Sequence, residues 1–306
     1  MEVLIVGSVA LDTVKTPYGV MEEGLGGSAM YSAVAASFFS PVKIVGVVGD
    51  DFPEKYIGIL KKQKIDTGGL QRIKGGRTFR WSGIYEEKDL NSVVTLKTDL
   101  NVFADFHPIL PEQYKKTPYI FLANIHPSLQ MEVLHQLKSP KLVILDSMNL
   151  WIRTTKKELL DVLRKVDIFL LNDREAKMLC ETTNLPYAAN KILSMGPHLV
   201  IIKKGEHGAM MISKREMFSI PAYPIEDVLD PTGAGDAFAG GFIGYLASKD
   251  KVNEGILRQA LAVGTVMASF NVQNFSLKGL LNVKKSSIKK RLETLKKFTE
   301  FSITEF

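Results

Sequence analysis

The sequence predicts an α/β protein with a mainly parallel, doubly wound sheet and a small antiparallel β lid. Short apolar runs such as Val42 to Val48 and Leu142 to Asp146 alternate with amphipathic helical segments, which is typical of a parallel sheet covered on both faces. Residues 70–105 break this alternation, because β-branched and aromatic runs follow one another there with little helical periodicity. We expect one domain over residues 1–306, from which the segment at 70–105 projects.

The first 110 residues are organised by apolar runs that end at glycines. Gly26-Gly27-Ser28-Ala29 opens a helix of small residues that runs to about Phe39, and an amphipathic helix reaches Lys64. The predicted strands of this part of the chain are residues 2–7, 42–48, 78–85 and 92–96.

After residue 110 the alternation of strands and helices resumes. The predicted strands are residues 119–124, 142–146, 168–171, 199–203, 209–213 and 217–220. The predicted helices lie near 128–138, 155–165, 173–195, 234–248 and 252–269, and a lysine-rich helix follows a loop at 270–280. Gly240 and Gly241 lie inside a predicted helix, which favours tight packing of that helix against the sheet.

Composition limits the class of protein. The net charge of +6 favours anionic small-molecule substrates, and the lysines are spread along the chain instead of forming a groove with interleaved aromatics, so we expect no nucleic-acid partner. No run of about 18 apolar residues is present, so we expect no membrane partner. The single Cys180 permits no intrachain disulfide, which favours a cytoplasmic protein. The five histidines lack the spacing of metal ligands.

Polar residues recur where the predicted strands end. Right-handed crossovers bring the carboxyl ends of parallel strands to one edge of a sheet, where ligands bind. The sequence therefore predicts a site at that edge. The residues are Asp12, Asp50, Asn124, Asp146, Asn149, Asn172, Glu175, Lys203 and Lys204.

The stretch 230–242 is the most informative. Gly233, Ala234 and Gly235 lead directly into a helix, so their backbone N–H groups and the helix dipole favour an anion such as phosphate. Asp236, in the first turn, is either an acid that complements the helix dipole or a base beside the bound phosphate. No Gly-Lys-Ser/Thr follows and the G-x-G-x-x-G spacing is missing, which excludes the P-loop and the dinucleotide fingerprint.

The motif Asp230-Pro-Thr-Gly-Ala-Gly-Asp236 resembles the C-terminal signature of the ribokinase or PfkB carbohydrate kinase family, which includes sugar and nucleoside kinases. The resemblance covers Glu2 to about Leu280 and implies a ribokinase-like three-layer α/β/α sandwich, with a lid formed by about 13–25 and 70–105. The other matching motifs are Gly26-Gly27-Ser28-Ala29, Gly49-Asp50-Asp51, Asn172-Asp173-Arg174-Glu175 and Lys203-Lys204-Gly205-Glu206-His207-Gly208.

The resemblance implies an ATP-dependent kinase with an alcohol group as acceptor. Asp236 would be the base that takes a proton from a primary hydroxyl as that hydroxyl attacks the γ-phosphate of ATP. The backbone of Gly233, Ala234 and Gly235 would form the anion hole for the transferred phosphoryl group.

The family pattern also implies a nucleotide site. Asn172 and Glu175 would position Mg²⁺, with Glu175 acting through water, although Asn172 followed by Glu175 is also close to a helix capping box. Lys203, where the family often has Thr, either reaches phosphate or is a solvated strand-end lysine. Gly205, Gly208 and Thr232 complete the predicted nucleotide-binding residues.

The substrate-binding residues are predicted around the glycine pair Gly26-Gly27. Asp12 would hold ring hydroxyls of the substrate, although alone it reads as a turn aspartate. Gly26 and Gly27 would act as the hinge of the lid, and Ser28 stands where many sugar kinases carry Asn. In relatives Asp230 and the 270–276 loop help hold a monovalent cation, but Pro231 replaces the usual Thr and leaves a role for K⁺ open.

We therefore expect a sugar kinase first. The close alternative is a nucleoside kinase in which a lid aromatic such as Trp81 or Phe103 stacks on the base. A third hypothesis is a catalytically silent sugar or nucleotide sensor, against which the intact Asp236 motif argues. The lid aromatics could instead pack in a homodimer.

Overall fold

The computed structural model describes residues 1–300. It contains thirteen β-strands: β1 Val3–Val6, β2 Ala10–Thr16, β3 Gly19–Gly26, β4 Val42–Gly49, β5 Ile65–Ile73, β6 Phe79–Glu86, β7 Asp89–Asp99, β8 Tyr119–Leu122, β9 Leu142–Asp146, β10 Ile168–Asn172, β11 Leu199–Lys203, β12 Ala209–Ser213 and β13 Met217–Ile220. The predicted domain runs to residue 306, and its last six residues lie outside the described part of the chain.

Eleven α-helices lie within the same residues. They are α1 Ser28–Ser37, α2 Glu54–Lys62, α3 Pro127–Gln136, α4 Asn149–Thr154, α5 Lys156–Leu163, α6 Asp173–Cys180, α7 Leu185–Leu193, α8 Ala234–Lys249, α9 Glu254–Asn271, α10 Lys278–Leu281 and α11 Lys285–Thr299. None of the helices within residues 1–300 is both long and apolar enough to cross a membrane.

Nine strands form the main sheet, in the order β13-β12-β11-β10-β9-β8-β1-β4-β5. The strands from β5 to β11 in this order are parallel, and the antiparallel pairings are those of β12 with β11 and with β13. Apolar clusters cover both faces of the sheet, which explains why β1 is apolar at every position and fully buried. The prediction of a mainly parallel sheet between helices is confirmed.

The other four strands form a small sheet in the order β3-β2-β6-β7. We call these strands the small sheet. Its boundaries differ from those of the predicted lid. Residues 13–25 belong to β2 and β3, and this pair of strands already begins at Ala10. Residues 70–73 belong to β5, which pairs with β4 in the main sheet. The apolar residues at the start of β5 are buried beside β4, which keeps that strand in the main sheet.

The structure corrects two predicted segments and adds one helix. Residues 173–195 form two helices, because Glu181 adopts left-handed backbone and Asn184 starts a new helix with Pro186 in its first turn. The predicted loop at 270–280 contains the end of α9 and the start of α10. The short helix α4 was not predicted, since six residues are too few for a clear periodicity.

The glycines of α8 pack against helices instead of the sheet. A Cβ on Gly240 would lie 2.1 Å from the carbonyl oxygen of Ser32 in α1, and a Cβ on Gly241 would lie 2.7 Å from Met267 in α9. The prediction of close packing is confirmed, but its partner was wrong. This contact brings the N-termini of α1 and α8 side by side at the carboxyl edge of the main sheet.

Candidate active site

The turn before α8 leaves backbone donors free. Gly233 has a φ of 75°, in the left-handed region, and a Cβ there would lie 2.3 Å from the ring of Tyr31. The N–H of Ala234 donates to the Pro231 carbonyl at 3.1 Å, so it is used inside the turn. Across residues 1–300 the N–H groups of Gly233 and Gly235 find no hydrogen-bond acceptor. Two of the three predicted donors are therefore available to an anion.

A partly buried lysine lies beside these donors. Lys203 Nζ, at the end of β11, is 2.6 Å from Oδ2 of Asp146, at the end of β9. The Lys203 side chain is 16% exposed, and a Cβ on Gly235 would lie 3.1 Å from its Nζ. This pairing does not support the alternative of a solvated lysine, and a contact of Lys203 with phosphate stays a prediction. Burial would lower the pKa of Lys203, but the charge of Asp146 raises it, so the amine stays protonated.

Asn172 and Glu175 form a complete capping box at the start of α6. The Asn172 side chain accepts from the Glu175 N–H at 2.8 Å, and Glu175 Oε2 accepts from the Asn172 N–H at 2.8 Å. Burial, and then the charge of Asp146, raise the pKa of Glu175 to about 7. The capping alternative is thus confirmed, and the buried carboxylate also lies in the electrostatic range of Asp146.

Asp236 lies in the first turn of α8, only partly exposed, and its side chain makes no hydrogen bond with residues 1–300. Burial, and then the charge of Asp146, raise its pKa from 3.8 to about 8, against the opposing effect of Lys203. A helix N-terminus alone would stabilise the ionised acid and lower the pKa. A raised pKa near neutrality is what a proton acceptor in a site requires.

Asp12 faces the glycine pair before α1. Its Oδ2 accepts from the Gly27 N–H at 3.3 Å, and a Cβ on Gly26 would lie 1.9 Å from the same oxygen. Gly27 has a φ of 92° and a Cβ there would lie 2.4 Å from the Ser8 carbonyl oxygen, so both glycines are required by close approach. Burial, opposed by the Gly27 hydrogen bond, raises the pKa of Asp12 to about 7.

Ser28 is held by its neighbours in the fold. Its Oγ lies 3.1 Å from Oγ of Ser8 and 3.3 Å from the Asn124 carbonyl oxygen, and its side chain is buried. These hydrogen bonds join the start of α1 to the ends of β1 and β8. A contact between Ser28 and a substrate stays a prediction.

Asp230 is a buried carboxylate without a basic partner in residues 1–300, with an exposure of 1%. Its oxygens accept from the N–H groups of Thr232, at 2.9 Å, and Ser276, at 3.2 Å. Burial raises its pKa. Asn271 donates to the Thr232 carbonyl at 2.7 Å, and its own Oδ1 is buried and unpaired within the described chain. Oxygen atoms therefore converge beside the turn that Pro231 stiffens.

The two glycines of the predicted nucleotide loop adopt left-handed backbone. Gly205 and Gly208 have φ values of 55° and 85°, and a short 3-10 turn joins them. A Cβ on Gly208 would lie 2.0 Å from the Ile220 carbonyl oxygen. The loop follows Lys203 directly, so it lies at the same sheet edge as that lysine.

The small sheet reaches across this edge. Tyr85 Oη lies 3.4 Å from the Thr232 hydroxyl, and Asp89 accepts from Arg174 of α6 at 2.8 Å. Asn91, at the tip of the β6–β7 hairpin, hydrogen-bonds Glu206 next to Gly205. The small sheet thus contacts both the anion turn and the glycine loop.

Of the two predicted aromatics, Trp81 lies on the small sheet, where its indole N–H donates to the Thr95 hydroxyl at 3.2 Å and its ring lies over Gly83. Trp81 is paired in register with Asp12, so the two side chains share a face of the small sheet, and Tyr85 lies on the same face. Phe103 stacks on Phe79 and Phe106, with ring centroids 5.3 and 5.6 Å away, and packs against the core. The prediction of Phe103 as a base platform is therefore not supported by its packing.

Residues 2–282 match the family model described as pfkB family carbohydrate kinase. The chain belongs to the PfkB family of kinases. It is 31% identical over 252 residues to the cytidine kinase of Thermococcus kodakarensis, covering 80% of this chain and 88% of that protein. It is 25% identical over 296 residues to the deoxyribokinase of Salmonella typhi, covering 89% and 92%.

The fold comparison agrees with this membership. The nucleoside kinase of Burkholderia thailandensis, in complex with ADP-inosine, superimposes with a TM-score of 0.80 at 19% identity and covers 96% of this chain and 95% of its own. The predicted ribokinase-like fold and the predicted kinase class with a hydroxyl acceptor are confirmed.

Two tyrosines of this PfkB-family site were missed by sequence reasoning. Tyr31 lies against Gly233, and Tyr85 reaches Thr232 from the small sheet. Neither stands in a motif, and an apolar helix or an alternating strand is a sufficient explanation of such aromatics in a sequence. Asp146 was noted only as a strand-end acid, because its partner Lys203 is 57 residues away.

Proposed function

We propose that this PfkB-family kinase transfers the γ-phosphate of ATP to the primary hydroxyl of a ribonucleoside. One observation carries the proposal: Asp236, a carboxylate with a raised pKa, adjoins the free N–H groups of Gly233 and Gly235 and the partly buried amine of Lys203. A base, an anion hole and a cation at one helix N-terminus are the parts that phosphoryl transfer to an alcohol needs.

In the proposed reaction Asp236 accepts the proton of the acceptor hydroxyl. The acceptor oxygen forms a bond to the γ-phosphorus as the bond between that phosphorus and the ADP oxygen breaks. Negative charge on the transferred group is stabilised by the N–H groups of Gly233 and Gly235, with Ala234 shaping the turn, and by Lys203. Asp12 binds ring hydroxyls so that the primary hydroxyl lies against Asp236.

The nucleotide is proposed to bind between the turn and α6. Gly205, Gly208 and Thr232 would border the phosphates, and Asn172 would hold Glu175 in place. The carboxylate of Glu175, close enough to Asp146 for each charge to be felt, offers the oxygen donors that Mg²⁺ prefers, directly or through water. When bound, Mg²⁺ would neutralise phosphate charge.

A monovalent cation such as K⁺ fits beside the turn. Asp230 is buried without a basic partner in the described chain, and Asn271 Oδ1 is unpaired there. A cation of low charge density would satisfy both groups. We propose that Asp230 helps hold it and that it stabilises the anion turn.

Two observations favour a nucleoside over a free sugar. Trp81 lies on the same face as Asp12 and could stack on a base attached to the bound ribose. The cytidine kinase of T. kodakarensis is 31% identical to this chain. A free sugar is the second candidate, because the deoxyribokinase of S. typhi aligns with 89% of the chain.

The small sheet is proposed to act as the lid, hinged at Gly26 and Gly27, because it already spans the site from Thr232 to Glu206. Leu96 on β7 is 62% exposed, which keeps a homodimer through this sheet as a second proposal.

The decisive experiment is an acceptor panel with ATP and Mg²⁺, with and without K⁺. Cytidine, adenosine, ribose and 2-deoxyribose would be incubated with the protein, and phosphorylated product measured. We expect a nucleoside to be phosphorylated faster than either free sugar, and faster with K⁺ than without it. Transfer to the sugars alone would favour the second candidate. Transfer to no acceptor would favour the silent sensor.

A further inference from the structure

Tyr31 is a buried tyrosine with an unpaired hydroxyl. It lies in the first turn of α1, it is 2% exposed, and its Oη makes no hydrogen bond with any residue in 1–300. Buried hydroxyls are nearly always paired, because leaving one unpaired destabilises the fold. The hydroxyl therefore calls for a partner that the described chain does not supply.

The surroundings of this hydroxyl are those of the candidate active site. The Tyr31 ring lies against Gly233 of the anion turn. Helical side chains lean towards the helix N-terminus, which for α1 is Gly27, the residue that donates to Asp12. The charges that bear most on the hydroxyl are those of Asp12 and Asp230, followed by Tyr85 and Asp236. The hydroxyl therefore lies among the groups proposed to hold and activate the acceptor.

We propose that the Tyr31 hydroxyl donates a hydrogen bond to a ring hydroxyl of the acceptor and thereby determines acceptor specificity beside Asp12. This inference rests on the proposed function and names the part of the acceptor that is recognised. An acceptor hydroxyl both donates and accepts: its proton is bound by the Asp12 carboxylate and its lone pair by Tyr31. Neither an amine cation nor a deoxy position can satisfy both groups.

The protonation state of Tyr31 suits a donor. Burial, and then the charge of Asp12, raise the pKa of Tyr31 well above its ordinary range. The hydroxyl therefore keeps its proton around neutral pH. An acceptor that lacks the recognised hydroxyl leaves Tyr31 unpaired and Asp12 with only its hydrogen bond from Gly27 in a buried site, which is the situation that gives strong discrimination.

The test is a binding titration of Tyr31→Phe without ATP. Cytidine, 2′-deoxycytidine and 3′-deoxycytidine would be titrated into the native protein and the variant by calorimetry. In the native protein we expect one deoxy form to bind about 10- to 100-fold more weakly than cytidine. In the variant we expect the affinity for cytidine to fall by a similar factor. The difference in affinity between cytidine and that deoxy form should shrink to a few-fold. An equal loss for all three ligands, or no binding of any of them to the native protein, would overturn the inference.

A matched control separates recognition from folding. Tyr119 is also buried, but its hydroxyl donates to Asp250 at 3.1 Å, at the opposite edge of the main sheet. Tyr119→Phe should melt at a lower temperature and keep the native discrimination between cytidine and the deoxy form. Tyr31→Phe should melt no lower than the native protein, because it removes an unpaired hydroxyl. A Tyr31→Phe protein that melts lower and still discriminates would show a structural role instead.

The proposed function is tested separately by phosphoryl transfer from ATP. If the protein discriminates between cytidine and the deoxy form through Tyr31 but transfers no phosphate, the proposed function is contradicted and the inference is supported. If phosphate is transferred and Tyr31→Phe discriminates between the ligands as the native protein does, the inference is contradicted and the proposed function is supported.

Discussion

Asp12 and Asp146 are both buried carboxylates at the edge of the site, but within residues 1–300 only Asp146 has a basic side chain beside it. Lys203 lies 2.6 Å from Asp146, whereas Asp12 receives a single backbone hydrogen bond, from Gly27 at 3.3 Å. Burial raises the pKa of Asp12 to about 7. We infer that the proposed phosphate end, at Lys203 and the turn Gly233–Gly235, carries the countercharge that a polyanionic ligand needs, and that the proposed acceptor end, at Asp12 and Tyr31, suits a neutral polyol.

The same contrast holds for hydrogen-bond donors. At the phosphate end the free donors are backbone N–H groups at a helix N-terminus, which any phosphate can use. At the acceptor end the unpaired donor is one side chain, Tyr31. We therefore expect the proposed phosphate end to serve phosphoryl transfer in general and the proposed acceptor end to select the substrate.

The largest expected effect is at Asp236, which lies between the proposed phosphate end and the proposed acceptor end. Asp236→Asn should lower kcat by about 10³-fold with little change in either KM, because it removes the proposed proton acceptor and keeps the shape. Steady-state kinetics with the accepted nucleoside would measure this. Glu254→Gln, which removes another first-turn acid, at the exposed start of α9, is the control and should be neutral. Full activity in Asp236→Asn would reduce Asp236 to a helix-dipole acid.

Breaking the ion pair should affect catalysis and stability together. Lys203→Met should lower kcat/KM for ATP about 10²-fold and destabilise the fold by about 3 kcal/mol, because it leaves Asp146 buried and unpaired. Adding Asp146→Asn should restore stability but not activity. Thermal unfolding and ATP titrations would measure both quantities. Lys141→Met, which breaks an exposed pair with Asp250, should cost less than about 1 kcal/mol. A Lys203→Met protein with native ATP kinetics would separate the lysine from phosphate binding.

Asp12→Asn should affect the proposed acceptor end and leave the proposed phosphate end unchanged. Loss of the charged acceptor should raise KM for the nucleoside about 10- to 100-fold while KM for ATP stays unchanged. Varying each substrate in turn would reveal this split. An equal rise in both KM values would mean that Asp12 supports the fold of the whole site and not the acceptor alone.

Stability should depend on pH through the buried acids. The pKa of Asp236 is raised from 3.8 to about 8, so the folded state keeps a proton that the unfolded chain releases. This contribution is complete below pH 3.8 and is lost as the pH rises through about 8. Asp236→Asn should therefore be more stable than the native protein by about 2 kcal/mol at pH 8, with a smaller difference at pH 5. Denaturant titrations at both pH values would measure this, and a pH-independent difference would contradict the raised pKa.

The smallest effect is expected where the small sheet touches the turn. Tyr85→Phe removes a hydroxyl that lies 3.4 Å from Thr232. We expect KM values to rise no more than about five-fold, because one weak neutral hydrogen bond contributes about 1 kcal/mol or less. Steady-state kinetics would check this. A loss as large as that of Lys203→Met would place Tyr85 among the catalytic groups.

The sequence by itself determined the main features of the phosphate end. Gly233 to Asp236 form a local turn and helix start, and local turns follow from neighbouring residues. The strands Leu142–Asp146 and Leu199–Lys203 were predicted with their exact bounds, because buried parallel strands are continuous apolar runs. The family and the fold class followed from these motifs in their order.

Only the tertiary structure decided the charges and contacts between distant segments. Three contacts show this: the ion pair of Lys203 with Asp146, the hydrogen bond between Ser28 and Ser8, and the stacking of Phe103 on Phe106. Each depends on how the chain folds and not on the local pattern of residues. Periodicity reports which face of an element is buried, and it does not report what lies opposite. Tyr31 shows the limit most clearly: in the sequence it is one more residue of an apolar helix, and in the fold it carries a buried hydroxyl beside Gly233 that has no partner within residues 1–300.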